Sequence, residues 1–208
     1  MGSRRKADDS VRPPVVSRRA LICAGSAAAM ANGFGGEGST AVERRHVNLP
    51  GRQRCGAADR RLSFAFRGNA YGYYRAAVGA EADFPEISCH SLAIAIELSL
   101  KAYLLHRGVS DDWNRVHIAH DLWLALACAR RAGLRQIPQG LPSLASSLTP
   151  FYEHHAFGRS TTATMVSLDL PQACETVRGL LSGVDNQIDH EVAIDGWRTR
   201  LCREAAHA

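Results

Sequence analysis

Hydrophobic positions from about residue 63 onward recur at three- and four-residue steps, which is the period of an α-helix. No stretch alternates as a strand would. The predicted helices cover residues 63–79, 86–107, 120–133, 141–155, 171–188 and 191–206. The sequence therefore predicts an all-α fold, an up-and-down bundle of four to six helices. We divide it into a bundle over 63–190 and a C-terminal helix or tail over 191–208.

Proline, glycine and charged residues mark the ends of these helices. Pro85 suits the first turn of the second helix, and Gly108 is placed to end it. Asp121 adds an acidic residue to the first turn of the third helix, and Gly133 follows its last turn. The segment 'VSDDWNRVH' (109–117) is predicted to be a loop.

The second helix, within 'CHSLAIAIELSLKAYLLHRG' (89–108), carries Glu97 and Lys101 among apolar residues. At about 100° per residue both fall between two apolar groups and not on the Ser/Ala face. On a water-exposed surface this i,i+4 pair would add only ~0.2–0.5 kcal/mol. In an apolar environment each charge needs a partner. We predict a buried pair that fixes helix register, with binding of a nucleotide phosphate as the alternative role.

Residues 1–62 lack a sustained apolar period and contain 'RPP' and 'GFGGEG', which predicts a disordered tail. They hold 12 Lys/Arg against 5 Asp/Glu, whereas residues 63–208 hold 13 against 15. The net charge of +5 thus belongs to the tail, which argues against a broad phosphate-binding face on the bundle. The run 'SRRALICAGSAAAMA' (17–31) leaves open an export signal, an over-extended start before Met30, or a plain tail.

No known cofactor motif is present, and no apolar run reaches the ~20 residues of a membrane span. His117 and His120 lie at i,i+3 but lack a third ligand, so no metal site is predicted. The six cysteines are widely spaced without a CxxC pair, which favours reduced thiols in a cytoplasmic protein.

Three motifs in order resemble the HEPN family (higher eukaryotes and prokaryotes nucleotide-binding). They are the aromatic 'YYRAA' helix, the Glu-x-x-x-Lys-Ala helix ending in Gly, and a His-Asp-Leu that starts the third helix. The matching positions are Glu97, Lys101, Ala102, Gly108, His120, Asp121 and Leu122. The resemblance covers about residues 70–133, and 'FYEHHAFGR' (151–159) is similar to the Tyr/His/Arg segment before the last helix of the family.

The resemblance implies a homodimer in a bacterial defence or toxin–antitoxin setting. Some members of the family are binding modules, and the resemblance to them implies binding of nucleotide, RNA or a partner protein. That partner would be an antitoxin or a nucleotidyltransferase-type protein. Others are metal-independent ribonucleases with an Arg, four to six residues, then His. An exported helical protein of other function is the third interpretation, and the sequence leaves open whether the chain is an enzyme.

The expected place of the ribonuclease motif, in helix 171–188, has no His within reach of Arg178. Arg115 and His120 have the required spacing, with Asp121 as the carboxylate that would orient His120 or simply start the helix. Arg200 and His207 also fit the spacing.

A second candidate group lies in the segment after the fourth predicted helix. His154, His155 and Arg159 are placed there to contact a phosphate, with solvated surface charge as the alternative. With Glu97 and Lys101 they make up the candidate binding residues.

Overall fold

The computed structural model describes residues 48–50, 55–154, 157 and 168–205. The chain divides into two units, Met1–Glu43 and Arg44–Ala208, and every described residue belongs to the second. The described residues are mainly helical and contain no strand, so the predicted all-α bundle is confirmed. The predicted tail lies outside the described residues except for 48–50 and 55–62.

Six α-helices make up the described part of the bundle. They are α1 (Ala57–Ala80), α2 (Pro85–His106), α3 (Asp111–Trp113), α4 (Leu122–Arg131), α5 (Leu141–Glu153) and α6 (Leu170–Ala205). A π-helical turn, Asn114–Ile118, follows α3 directly. Helices α2, α4 and α5 lie within one or two residues of their predicted bounds.

Three boundaries differ from the prediction. Helix α1 begins six residues early, at Ala57, where the Asp59 carboxylate accepts a hydrogen bond from Gly56 N at 3.3 Å. The expected loop over 109–117 is largely helical, because the Ser110 hydroxyl accepts from Trp113 N at 3.2 Å and starts α3. The two helices expected at the C-terminus form one helix of 36 residues, α6.

Helix α2 is the centre of the bundle. It packs against α1, α4, α5 and α6, and Leu92, Ile96, Leu100 and Leu104 have no exposed surface. By length and composition α2 could cross a membrane, yet 78% of its apolar window is buried among its neighbours. Its hydrophobicity is therefore that of a core helix, as its two-sided apolar pattern predicts.

Local signals at the ends of helices act as expected. Pro85 is the first residue of α2, and Gly108 and Gly133 adopt left-handed φ angles of 84° and 106° after α2 and α4. Asp121 lies just before α4, where its Oδ1 accepts from Leu124 N at 2.8 Å. Gly108 and Asp121 thus mark where the segment between α2 and α4 begins and ends.

Candidate functional site

The site is built around the carboxylate of Glu97, in the middle of α2. Glu97 is 7% exposed and accepts three hydrogen bonds from three parts of the chain. The donors are Lys101 Nζ at 2.5 Å, His120 Nδ1 at 3.2 Å and the Tyr152 hydroxyl on α5. The predicted burial of the Glu97–Lys101 pair is therefore confirmed, and the carboxylate also ties α5 and the turn before α4 to the core.

The Lys101 ammonium has two partners within the protein. Besides Glu97, Nζ donates to the carbonyl of Ala119 at 2.7 Å, and only 6% of the side chain is exposed. The contact with Glu97 is buried and that with Ala119 is partly buried, and hydrogen bonds to an ionised group are strong. Lys101 thus holds the turn before α4 against α2, which is a structural role, as the predicted buried pair requires; phosphate binding was the alternative predicted for it.

The turn that Lys101 holds has unusual backbone geometry. Ala119 has φ 48° and ψ −112°, and it is the one residue other than glycine with positive φ in the described part of the chain. It ends the π-helical turn that starts at Asn114. Single π-helical turns are frequent at functional sites, and strained residues cluster there. This turn sets the position of His120, the next residue.

His120 lies at the boundary between the core and solvent, with 46% of its side chain exposed. Its ring contacts the Tyr152 ring edge-on, with 5.1 Å between centroids and 73° between planes. The hydrogen bond with Glu97 raises the pKa of His120 above its usual value, although partial burial opposes the rise. A carboxylate at Nδ1 favours a proton on that nitrogen and stabilises the imidazolium.

The same contacts decide the charge of Glu97 and Tyr152. Burial alone would raise the pKa of Glu97, but hydrogen bonds from His120, Lys101 and Tyr152 outweigh it and lower the pKa. Burial, followed by the adjacent Glu97 carboxylate, raises the pKa of Tyr152 far above its usual range. Glu97 therefore stays anionic near neutral pH, and Tyr152 remains a hydrogen-bond donor.

A groove of about 370 Å³ opens next to these residues. Its lining includes Glu97 and Lys101, the apolar Phe66 and Leu98, and the polar Asp111, Arg115 and His120. Arg115 is the most accessible cation of the set, with 71% of its side chain exposed and a long contact of 3.4 Å to Asp112. The Asp111 and Glu97 carboxylates offset the Lys101 and Arg115 charges, so the groove carries little net charge.

Four of the sequence-predicted site residues meet at this groove: Glu97, Lys101, Arg115 and His120. Asp121 caps α4, and the carboxylate hydrogen-bonded to His120 is Glu97. Of the two roles predicted for Asp121, the start of α4 is therefore confirmed, and the orientation of His120 is corrected, because the hydrogen-bonded carboxylate is that of Glu97.

The other predicted residues lie elsewhere. His154 is the exposed residue that follows α5, and Arg200 is exposed near the end of α6 and does not line the groove. His155, Arg159 and His207 are outside the described residues.

Sequence reasoning missed Tyr152, Phe66 and Asp111 as site residues. Tyr152 donates to Glu97 from 55 positions away, and no local pattern encodes that contact. Its local signals were its place in 'FYEHHAFGR' (151–159) and its position on the buried face of an amphipathic helix, where the hydroxyl must find an acceptor. Phe66 and Asp111 become site residues only because α1 packs on α2 and the groove beside Glu97 and Lys101 also reaches the first residue of α3.

Within the described residues no group of three His, Cys, Asp or Glu side chains could hold a metal ion. Comparisons of the chain with protein-family models, with curated proteins and with solved structures find no match. The HEPN resemblance therefore rests on the motifs themselves, and the geometry of the groove is the main basis for a proposed function.

Proposed function

We propose that this chain is a HEPN-like, cytoplasmic module that forms a homodimer and binds nucleotide or RNA in the groove beside Glu97. The setting we propose is bacterial defence or toxin–antitoxin function, with an antitoxin or nucleotidyltransferase-type protein as partner. The observation that supports it best is the meeting of Arg115 and His120 in one groove, with His120 held by a buried carboxylate.

Each wall of the groove suits one part of a nucleotide. The exposed Arg115 guanidinium can donate two hydrogen bonds to a phosphate. His120 adds positive charge when Glu97 keeps it protonated. Phe66 supplies an aromatic surface for a base. Because Asp111 and Glu97 offset the cations, we expect few phosphate contacts and a shallow dependence of affinity on salt.

Fluorescence anisotropy with labelled nucleotides and a short single-stranded RNA tests binding. Arg115→Ala should weaken binding about tenfold or more, because it removes a charge-assisted contact to phosphate. Arg178→Ala is the matched control, since Arg178 is also exposed and ion-paired but does not line the groove. Equal affinity of the wild type and Arg115→Ala would contradict the proposed site.

Sedimentation equilibrium at high micromolar concentration tests the dimer. The proposal requires twice the monomer mass of 22.5 kDa. A clean monomer under those conditions would contradict the homodimer and weaken the HEPN interpretation. Binding of nucleotide by such a monomer would support the proposed binding site while contradicting the proposed homodimer.

A metal-independent ribonuclease is the second candidate, and the Glu97–His120 contact favours it. A carboxylate on Nδ1 would keep His120 oriented to accept a proton from an RNA 2′-hydroxyl. Arg115 would stabilise the negative charge that develops on the phosphorus oxygens. This assignment uses the Arg-x4-His spacing of 'RVHIAH' and needs no metal.

Incubation with RNA in the presence of a chelator tests catalysis. His120→Ala should abolish cleavage, whereas His117→Ala should retain it, because His117 packs on Trp113 and does not line the groove. No cleavage by the wild type, or equal cleavage by His120→Ala, would end the ribonuclease interpretation for this pair. Nucleotide binding without cleavage would favour the binding module.

A further inference from the structure

The segment Asp111–His120, which we call the strap, combines three unfavourable features. Ala119 has a backbone conformation that side chains disfavour, and the turn before it is π-helical. Asn114 is completely buried, and neither atom of its side-chain amide has a hydrogen-bond partner among the described residues. A buried amide without partners lacks the hydrogen bonds that water would give it.

The strap is held closed mainly from α2. Lys101 Nζ binds the Ala119 carbonyl at 2.7 Å, and Glu97 binds His120 Nδ1 at 3.2 Å. The strap also contributes apolar contacts, since Ile118 is buried in the core and Trp113 packs partly buried against it, whereas Val116 is 75% exposed. The closed strap therefore depends on these polar contacts from α2 together with the packing of Ile118 and Trp113.

We propose that the strap is a two-state latch, closed by Lys101 and opened by release of the Ala119 carbonyl. In the open state the Asn114 amide reaches water and Ala119 relaxes to an ordinary conformation, which offsets the two lost contacts. Arg115 and His120 move with the strap, so opening dismantles the groove while the helices stay packed. The latch thus controls whether the groove is assembled, whatever the groove binds.

Hydrogen–deuterium exchange of the full chain measures this opening directly. The strap amides should exchange through local opening, faster than those in the middle of α2 and α6. Lys101→Met should speed strap exchange about tenfold or more by removing the closing contact. Exchange in α6 around residues 177–188 should change much less.

Two further variants should act in the opposite direction, which keeps the test decisive if Lys101→Met fails to fold. Ala119→Gly relieves the backbone strain, and Asn114→Leu removes the unpaired amide at similar volume, so each should slow strap exchange. Ala132→Gly is the matched control, because Ala132 has an ordinary φ of −72° and there is no strain for glycine to relieve. Glycine there only adds backbone freedom, so the amides next to residue 132 should exchange faster.

Three results would overturn the latch. One is a strap that exchanges only with global unfolding in the wild type. Another is a folded Lys101→Met variant whose strap exchange is unchanged. The third is Ala119→Gly speeding exchange as Ala132→Gly does, which would mean that no strain is stored at Ala119.

Discussion

Replacing Glu97 by methionine should be among the most damaging single changes to the described bundle. The substitution keeps side-chain length but removes an acceptor that three donors share. It leaves the Lys101 ammonium, 6% exposed, without its counter-charge and the buried Tyr152 hydroxyl without its acceptor. Breaking a buried ion pair from one side costs about 3–5 kcal/mol. Since domains of this size are stabilised by about 5–15 kcal/mol, the loss is a large fraction of the total.

Replacing Lys101, the ion-pair partner of Glu97, should cost less stability than replacing Glu97. Lys101→Met leaves a carboxylate that still accepts from His120 and Tyr152, so its charge is not isolated. The main loss is the contact with the Ala119 carbonyl, and we expect about 1–3 kcal/mol. The double variant has neither buried charge, so its loss should be smaller than the sum of the single losses by about 1 kcal/mol or more.

Urea unfolding followed by far-ultraviolet circular dichroism measures the stability loss of the two single variants and the double variant. Where the m-value is unchanged, each loss follows from the shift in the urea midpoint. Glu175→Gln is the control, because Glu175 also pairs with a cation one turn away, Arg178, but both side chains are more than half exposed. Its midpoint should be nearly that of the wild type. A Glu97→Met midpoint close to that of the control, or strictly additive losses in the double variant, would refute the buried-pair reasoning.

Two more predictions concern packing and pH. An ideal Cβ on Gly183 would lie 2.6 Å from the Gln136 carbonyl oxygen, so Gly183→Ala should lose about 1–3 kcal/mol of stability, whereas Gly72→Ala, with no atom within 4 Å, should gain up to about 1 kcal/mol. Thermal unfolding compares them, and changes of the same sign would contradict the close approach. The raised pKa of His120 means that its pairing with Glu97 stabilises the fold fully below the unfolded-state pKa of about 6.5, and less as pH rises through the folded-state pKa. The stability difference between the wild type and His120→Gln should therefore shrink as the pH rises above about 6.5, and a constant difference would argue against the pairing.

The elements that could be predicted are those whose ends are set by nearby residues. Pro85, Gly108 and Gly133 each act within one turn of their own position, which is why α2 and α4 fall close to the expected bounds. The strap was missed because nothing in 'VSDDWNRVH' has an apolar period. Ser110 starts α3 locally, but the geometry of the rest of the strap depends on the burial of Ile118 and on the distant Lys101 ammonium, and both are tertiary contacts.

The burial of Glu97 could be predicted from its angular position on α2, but its partners could not. His120 and Tyr152 lie 23 and 55 residues further along the chain. They meet Glu97 only because α5 and the turn before α4 pack on the same side of α2. A buried carboxylate requires donors, so their presence was foreseeable from physical chemistry, whereas their number and identity depended on the packing of the bundle.

The two carboxylates near His120 show how a motif can mislead about which side chain sets a charge. Asp121 adjoins His120 in the sequence, yet the start of α4 needs an acceptor and takes its Oδ1. Asparagine caps a helix about as well as aspartate, so Asp121→Asn should leave α4 intact and the pKa of His120 nearly unchanged. Glu97→Gln should lower the pKa of His120, because it removes the charge bound at Nδ1. Titration of the His120 ring by nuclear magnetic resonance compares the two, and a larger shift in Asp121→Asn would return the orienting role to Asp121.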